Sequence, residues 1–315
     1  MRIIYSLLIL ACMASLTACQ NSETTPETAA PTTEAATASA ATTAELNRAV
    51  RTEPAEEHKG DRATRMRLEK IASGEHRTEA DRARDGYRHP AETLAFFGLA
   101  PDATVIEITP GGGWYTDIIA PFLRDGGHFI GAIWDELLPD QPAYYARLNQ
   151  TLEEKISANP DVYGKAELRR FNAAAPVFGE PGSADLVLTF RNVHNWVPAG
   201  TAEAYFKAFY DVLKPGGVLG TVDHRAKDDE ATDGSSGYLT ERQVIDLAEA
   251  AGFKLADRSE INANPNDTAD HPKGVWTLPP TFALGDEDRE KYAQIGESDR
   301  MTLKFIKPGS AAAAQ

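Results

Sequence analysis

The chain has 315 residues, 42% of them apolar, and a formal net charge of −15, with an isoelectric point near 4.9. That length holds one large domain or two small ones. An acidic chain without a basic run is a poor partner for nucleic acid or for an anionic membrane surface, so both are excluded as binding targets of the globular part.

Arg2 supplies a short basic start, and Ile3 to Leu16 is apolar but too short to span a bilayer comfortably. Leu16-Thr17-Ala18-Cys19 looks like a bacterial lipobox. Residues 1–18 therefore read as a lipoprotein signal peptide, with Cys19 as the lipidation site. The plainer alternatives are an ordinary signal peptide cut nearby or an uncleaved anchor. Cys12 would leave with the peptide, so the mature chain would hold no disulfide, which suits an oxidising compartment. Gln20 after the cysteine implies the outer membrane, by resemblance to Gram-negative lipoproteins. The expectation is a periplasm-facing envelope protein that meets the membrane through its N-terminal lipid alone. Residues 19–60 are mostly Thr, Ala, Glu, Pro and Ser, and read as a disordered tether, because they cannot bury enough surface to offset ordering entropy. Residues 61–308 read as one globular domain and 309–315 as a flexible tail.

Within the domain, Arg62 to Ser73 is a short predicted helix. Pro90 opens a second over Ala91 to Leu99, with Leu94, Phe96, Phe97 and Leu99 as its apolar face. Val105 to Ile108 is a strand with an embedded acid, Glu107. It breaks into Gly111-Gly112-Gly113 and resumes as an amphipathic helix, Trp114 to Leu123. Such a turn lets a ligand approach bare backbone at a helix N-terminus. His128 to Trp134 is the second strand, followed by Asp135 and Glu136. Tyr144 to Ile156 is a helix, Ala166 to Phe171 a short strand ending at Asn172, and Ala184 to Phe190 a strong fourth strand. That strand runs into Arg191-Asn192-Val193-His194-Asn195-Trp196. Thr201 to Leu213 is helical, Val218 to Val222 extended, and Asp223-His224-Arg225 closes that strand. Thr240 and Gln243 form a capping box for a helix from Glu241 to Ala251 that Gly252 ends. Phe253 to Ile261 and Arg300 to Ile306 are the last strands. The linker between them, Asn262 to Asp299, is long enough to read as a functional lid docked by Trp276 and Phe282, or else as a floppy insertion.

The Glu107–Gly113 segment resembles motif I of the class I S-adenosylmethionine (SAM)-dependent methyltransferases. Gly111 and Gly113 take the last two glycine places of that motif; Thr109 and Pro110 replace a glycine and a small residue. Leu213 to Leu219 resembles the family's Leu-Lys-Pro-Gly-Gly-x-Leu signature, and Arg191 to Trp196 its motif IV region. The resemblance runs from about Arg82 to Pro308. Tyr87-Arg88-His89-Pro90, the Pro110–Thr116 version of motif I and Asn264 to Asp267 look like a group of predicted envelope methyltransferases. What it implies is an α/β fold, a doubly wound Rossmann-like sheet of about seven strands with the last antiparallel, and SAM as cofactor. It implies cofactor contacts at Glu107, Gly111, Gly113 and Trp114, the Glu107 carboxylate lying near the sulfonium amino acid. Asp135 or Glu136 would take the ribose hydroxyls, Asn172 would reach the adenine, and Asn192 would also face the cofactor. Tyr87 and His89 are further pocket candidates, with a surface or capping role as the alternative.

The function so implied is methyl transfer to a small-molecule acceptor. His194, Asp223 and His224 end two strands that the family fold makes neighbours, so they are the catalytic candidates. A histidine titrates near neutrality and can serve as general base; the bland alternative is a satisfied structural histidine. Two other readings stand beside this one. A non-catalytic binding module is suggested by the compartment, since SAM is made in the cytoplasm, and by the missing motif I glycine. A metal-dependent hydrolase would use His194, Asp223, His224 and His271, but no tight metal-ligand spacing supports it, and no metal is expected.

Overall fold

The computed structural model describes residues 59–227 and 231–309. The signal peptide, Cys19, nearly all of the tether and the tail beyond residue 309 lie outside the described residues. Strands β1 (Thr104–Ile108), β2 (His128–Trp134), β3 (Glu167–Phe171), β4 (Ala184–Phe190), β5 (Leu213–His224), β6 (Lys254–Ser259) and β7 (Arg300–Ile306) form a single sheet. Its order is β3-β2-β1-β4-β5-β7-β6. Every neighbouring pair is parallel except those made by β7, which runs antiparallel to both β5 and β6. This is the doubly wound, Rossmann-like sheet that the methyltransferase resemblance implies.

Helices α1 (Lys59–Ala72), α2 (Glu79–Arg82), α3 (Asp85–Arg88) and α4 (Pro90–Phe97) precede the sheet. Next come α5 (Thr116–Leu123), α6 (Ala143–Ala158), α7 (Pro160–Tyr163), α8 (Val193–Trp196), α9 (Ala202–Val212), α10 (Glu241–Ala250) and α11 (Arg289–Ile295). The alternation of side chains along each strand divides the core into two layers. Ile106, Ile108, Val187 and Leu219 pack with Tyr205, Phe206 and Phe209 of α9 and Val244 and Ala248 of α10. Val105, Leu186, Leu188 and Val222 pack with Leu68 of α1, Leu94 and Phe97 of α4 and Ile118, Ile119 and Phe122 of α5. The expected capping box is present: the Gln243 N–H donates to Thr240 Oγ1, and the Thr240 N–H to Gln243 Oε1.

Two features position the site. The order reverses between β1 and β4, and in open parallel sheets ligands bind outside the carboxyl ends of the strands at such a switch. The linker Asn262–Asp299 comes over those strand ends, where Trp276 and Pro279 to Thr281 line a cavity with His194 and His224. It holds a short extended segment, Pro272–Val275, outside the sheet, and then α11. Asp267, fully buried, anchors it by accepting the Tyr238 hydroxyl and the backbone N–H groups of Ala269 and Asp299.

Candidate active site

A cavity of about 410 Å³ opens at the β1/β4 switch point. The turn after β1 supplies Thr109, Pro110, Gly111 and Gly112; the ends of β2 and β4 supply Trp134, Phe190, Arg191 and Asn192. An added Cβ at Gly111 or Gly112 would meet nothing within 4 Å, so both backbones lie bare to the cavity. Thr109 stands where the family motif has its first glycine, and it adopts the left-handed conformation that glycine would supply, φ 46°. A β-branched residue is strained there. Its hydroxyl, buried and lining the cavity, has no hydrogen-bond partner. A strained residue and an orphaned hydroxyl thus sit together at the cavity.

Glu107 lies beneath the turn, 2% exposed, and accepts a 2.6 Å hydrogen bond from the Thr116 hydroxyl. Burial pushes its carboxyl up to about 8 against the lowering effect of Thr116. Burial thus favours its neutral form over the carboxylate that the resemblance implies near a sulfonium amino acid.

A second cavity, about 260 Å³, lies under the linker. Trp276, Pro279, Pro280 and Thr281 line it from the linker side, and His194, Asn195 and His224 from the strand ends. Arg88 and Arg191 line both cavities. Asp223, fully buried at the end of β5, accepts at Oδ2 from the N–H groups of Val193 (2.7 Å) and His194 (3.4 Å). At Oδ1 it accepts from the His224 N–H and from His194 Nδ1, both at 2.8 Å. The carboxylate thus faces donors only, so His194 Nδ1 carries a proton toward it. His224 meets the Ser298 hydroxyl through Nδ1. Burial, then His194 and the nearby arginines, drives its imidazole well below the ordinary range, so it is neutral at neutral pH.

The ligand atoms of His194, Asp223 and His224 lie within 4.8 Å of one another. They do not suit a cation. Asp223 has its oxygens filled by four donors, and the surroundings carry several guanidinium groups. His271 stands apart from this group and pairs through Nε2 with Asp267 at 2.8 Å.

The structure brings Glu107, Gly111, Trp114 and Asn192 to the first cavity and His194 and His224 to the second, with Asp223 behind His194. It does not bring Gly113, Asp135 or Asn172. A Cβ at Gly113 would strike Leu152 at 2.8 Å, so that glycine makes room for α6 and not for a ligand. Asp135 turns back to accept from the Leu137 N–H, and Glu136 is engaged by Asn149 and Arg170. Asn172 closes its own turn onto the Ala174 N–H. Of the Tyr87–Pro90 segment, neither Tyr87 nor His89 lines either cavity; Arg88 does. Arg84, Arg88, Arg191 and Glu297 were not anticipated. Arg191 sits inside the motif IV region, which was the available signal. Glu297 is joined to Arg84 and Arg88 only by folding, across more than 200 residues.

No family profile matches the sequence, and no curated protein matches it. Among solved structures, a SAM-dependent methyltransferase from Aquifex aeolicus is 14% identical with a TM-score of 0.49, over 77% of this chain and 98% of that one. The [4+2]-cyclase SpnF is 16% identical with a TM-score of 0.49, over 80% and 97%. A SAM-dependent methyltransferase from Methanosarcina mazei is 15% identical with a TM-score of 0.43, over 67% and 95%. Likeness at this level carries no conclusion about activity, which has to come from the site.

The state of Glu107 has a measurable consequence. Its folded pKa is raised from 4.5 to about 8, so between those values the folded chain keeps a proton that the unfolded chain has lost. The site's contribution to stability is full below pH 4.5 and declines by about 1.4 kcal/mol per pH unit through that window. Glu107→Gln, which can still accept from Thr116, removes the decline. Urea midpoints should show the variant gaining on the wild type steadily from about pH 5 to about pH 8. A difference that does not change with pH would mean that Glu107 is ionised in the folded chain.

Proposed function

We propose that the protein is a SAM-dependent methyltransferase for a small-molecule acceptor, tethered by a lipid on Cys19 to the periplasmic face of the envelope, at the outer membrane. The observation that carries the catalytic part is a juxtaposition. A switch-point cavity with bare glycine backbone and an orphaned hydroxyl shares Arg88 and Arg191 with a cavity that holds a carboxylate-oriented histidine.

The residues present fit the cofactor. Gly111 and Gly112 leave space for it, Thr109 Oγ1 and Glu107 offer hydrogen bonds, and Trp134 and Leu148 give an apolar wall. With the β2-end acids turned away, Asp81 is the other carboxyl group lining the cavity, and so the one suited to a vicinal diol. Bound there, SAM supplies an electrophilic methyl group on a sulfonium. His194 Nε2 would take the proton of the acceptor O–H or N–H. Asp223 holds the imidazole in the required tautomer and stabilises the imidazolium that forms. His224, kept neutral, adds no charge against that imidazolium. The linker residues Trp276, Pro279 and Pro280 shield the reaction from water.

Binding and chemistry separate by mutation. Gly112→Leu should weaken SAM binding with circular dichroism unchanged, because it adds a bulky side chain in open space at a residue that lines the cavity. His194→Ala should keep SAM affinity within a few-fold and lose on the order of 10²-fold or more in labelled methyl transfer to an envelope extract. Transfer at the wild-type rate in His194→Ala would remove the general base from this account.

The anchor is tested separately. Cys19→Ser should abolish incorporation of a labelled fatty acid, since no other group at that position can be acylated. Equal labelling of variant and wild type would contradict the lipoprotein reading.

A further inference from the structure

Arg88 and Arg191 face both cavities and have no part in the proton transfer. Arg88 is 1% exposed, and its Nε donates to Glu297 Oε2 at 2.8 Å. Its two terminal nitrogens are buried without any hydrogen-bond partner. The guanidinium lies over the Trp114 ring, 4.8 Å from its centroid, which leaves it little freedom to seek one. Arg191 is partly buried, and its side chain has no hydrogen bond or ion pair among the described residues. It also sits in the left-handed region, φ 62°, where a long side chain is strained.

The surrounding charge is unbalanced. Arg84, Arg88 and Arg300 converge on Glu297 at 2.6, 2.8 and 3.2 Å. Burial raises the Glu297 carboxyl, yet these arginines bring it down to about 2, so it is an ion. One carboxylate thus answers three guanidinium groups, and Arg191 stands near them unpaired. Burial and then Arg191 bring Arg88 down to about 9, so it still carries its charge at neutral pH. Buried donors without partners, an excess of like charge and a strained backbone each cost stability. A fold keeps all three in one place when a ligand relieves them, and the ligand that relieves these is an anion.

We propose that the second cavity takes its acceptor by an anionic group, a carboxylate or a phosphate, docked on Arg88 and Arg191, with the rest of the small acceptor toward His194. That the anion belongs to a methyl acceptor rests on the methyl-transfer reading; the anion site rests on the arginines alone. Planar guanidinium groups suit both oxyanions, because each offers paired N–H donors. The cavity, about 260 Å³, has room for such a group.

The test uses the full chain, with inorganic phosphate and acetate as probes, each against chloride at matched ionic strength. Thermal unfolding and calorimetry are read without SAM, and SAM affinity is read separately. Wild type should show saturable stabilisation by at least one probe. Arg191→Asn, a residue that tolerates the left-handed region, should unfold at higher temperature than wild type without the probe and bind it about tenfold or more weakly. Arg191→Lys, which keeps the charge, should fall between them. In wild type the probe should bind alike with and without SAM. No saturable response in wild type, or an equal response in Arg191→Asn, overturns the proposal. So does competition between the probe and SAM with a parallel loss of SAM affinity in the variant, since the anion would then be the cofactor's own carboxylate. A wild type that binds the probe but not SAM leaves the anion site standing and removes the methyl-transfer reading instead.

Discussion

The Asp223 carboxylate is the interaction on which the site depends. It closes the end of β5, and by accepting the Val193 and His194 N–H groups it pins the start of α8 beside it. The same two oxygens take the His224 N–H and the ring of His194. Four donors on one buried acceptor fix the path of two strand ends and the tautomer of one imidazole together. That saturation also decides between chemistries. A carboxylate with its acceptor positions filled from within the chain is an orienting group and a poor ligand for a metal ion.

Around that fixed point the electrostatics are lopsided. The chain as a whole is strongly acidic, yet the wall common to the two cavities is cationic. Glu297 holds three of the arginines together and leaves Arg191 without a partner. Glu107, on the other cavity's floor, is favoured by burial in its neutral form and does little to offset them. The local field therefore opposes the net charge of the molecule, an arrangement that favours small anions at the site without making the surface attractive to polyanions.

Most of the fold was legible in the sequence because its signals are local. Val105 to Ile108 before the glycine turn, the Thr240–Gln243 capping box and the apolar run of β4 each require only neighbouring residues. The site was less legible, for physical reasons that differ from residue to residue. Gly113 belongs to the motif by spacing, but its direction is set by the packing of Leu152 of α6, which no local pattern reveals. Asp135 has the right residue type at the end of β2 and spends it on its own turn. Thr109 looked like a missing glycine; the fold instead holds threonine in the glycine conformation and turns its hydroxyl into a free donor. Arg88 and Arg191 lay within quoted motifs, yet their meaning needs Glu297, which arrives from the far end of the chain.

The central claim is that the switch-point cavity is a cofactor site. Calorimetric titration of the purified protein with SAM and with its demethylated product tests it most directly. The account predicts saturable one-to-one binding of both ligands, retained when His194 is replaced. Absence of binding by either ligand, from a protein whose folding is confirmed by circular dichroism, would contradict it.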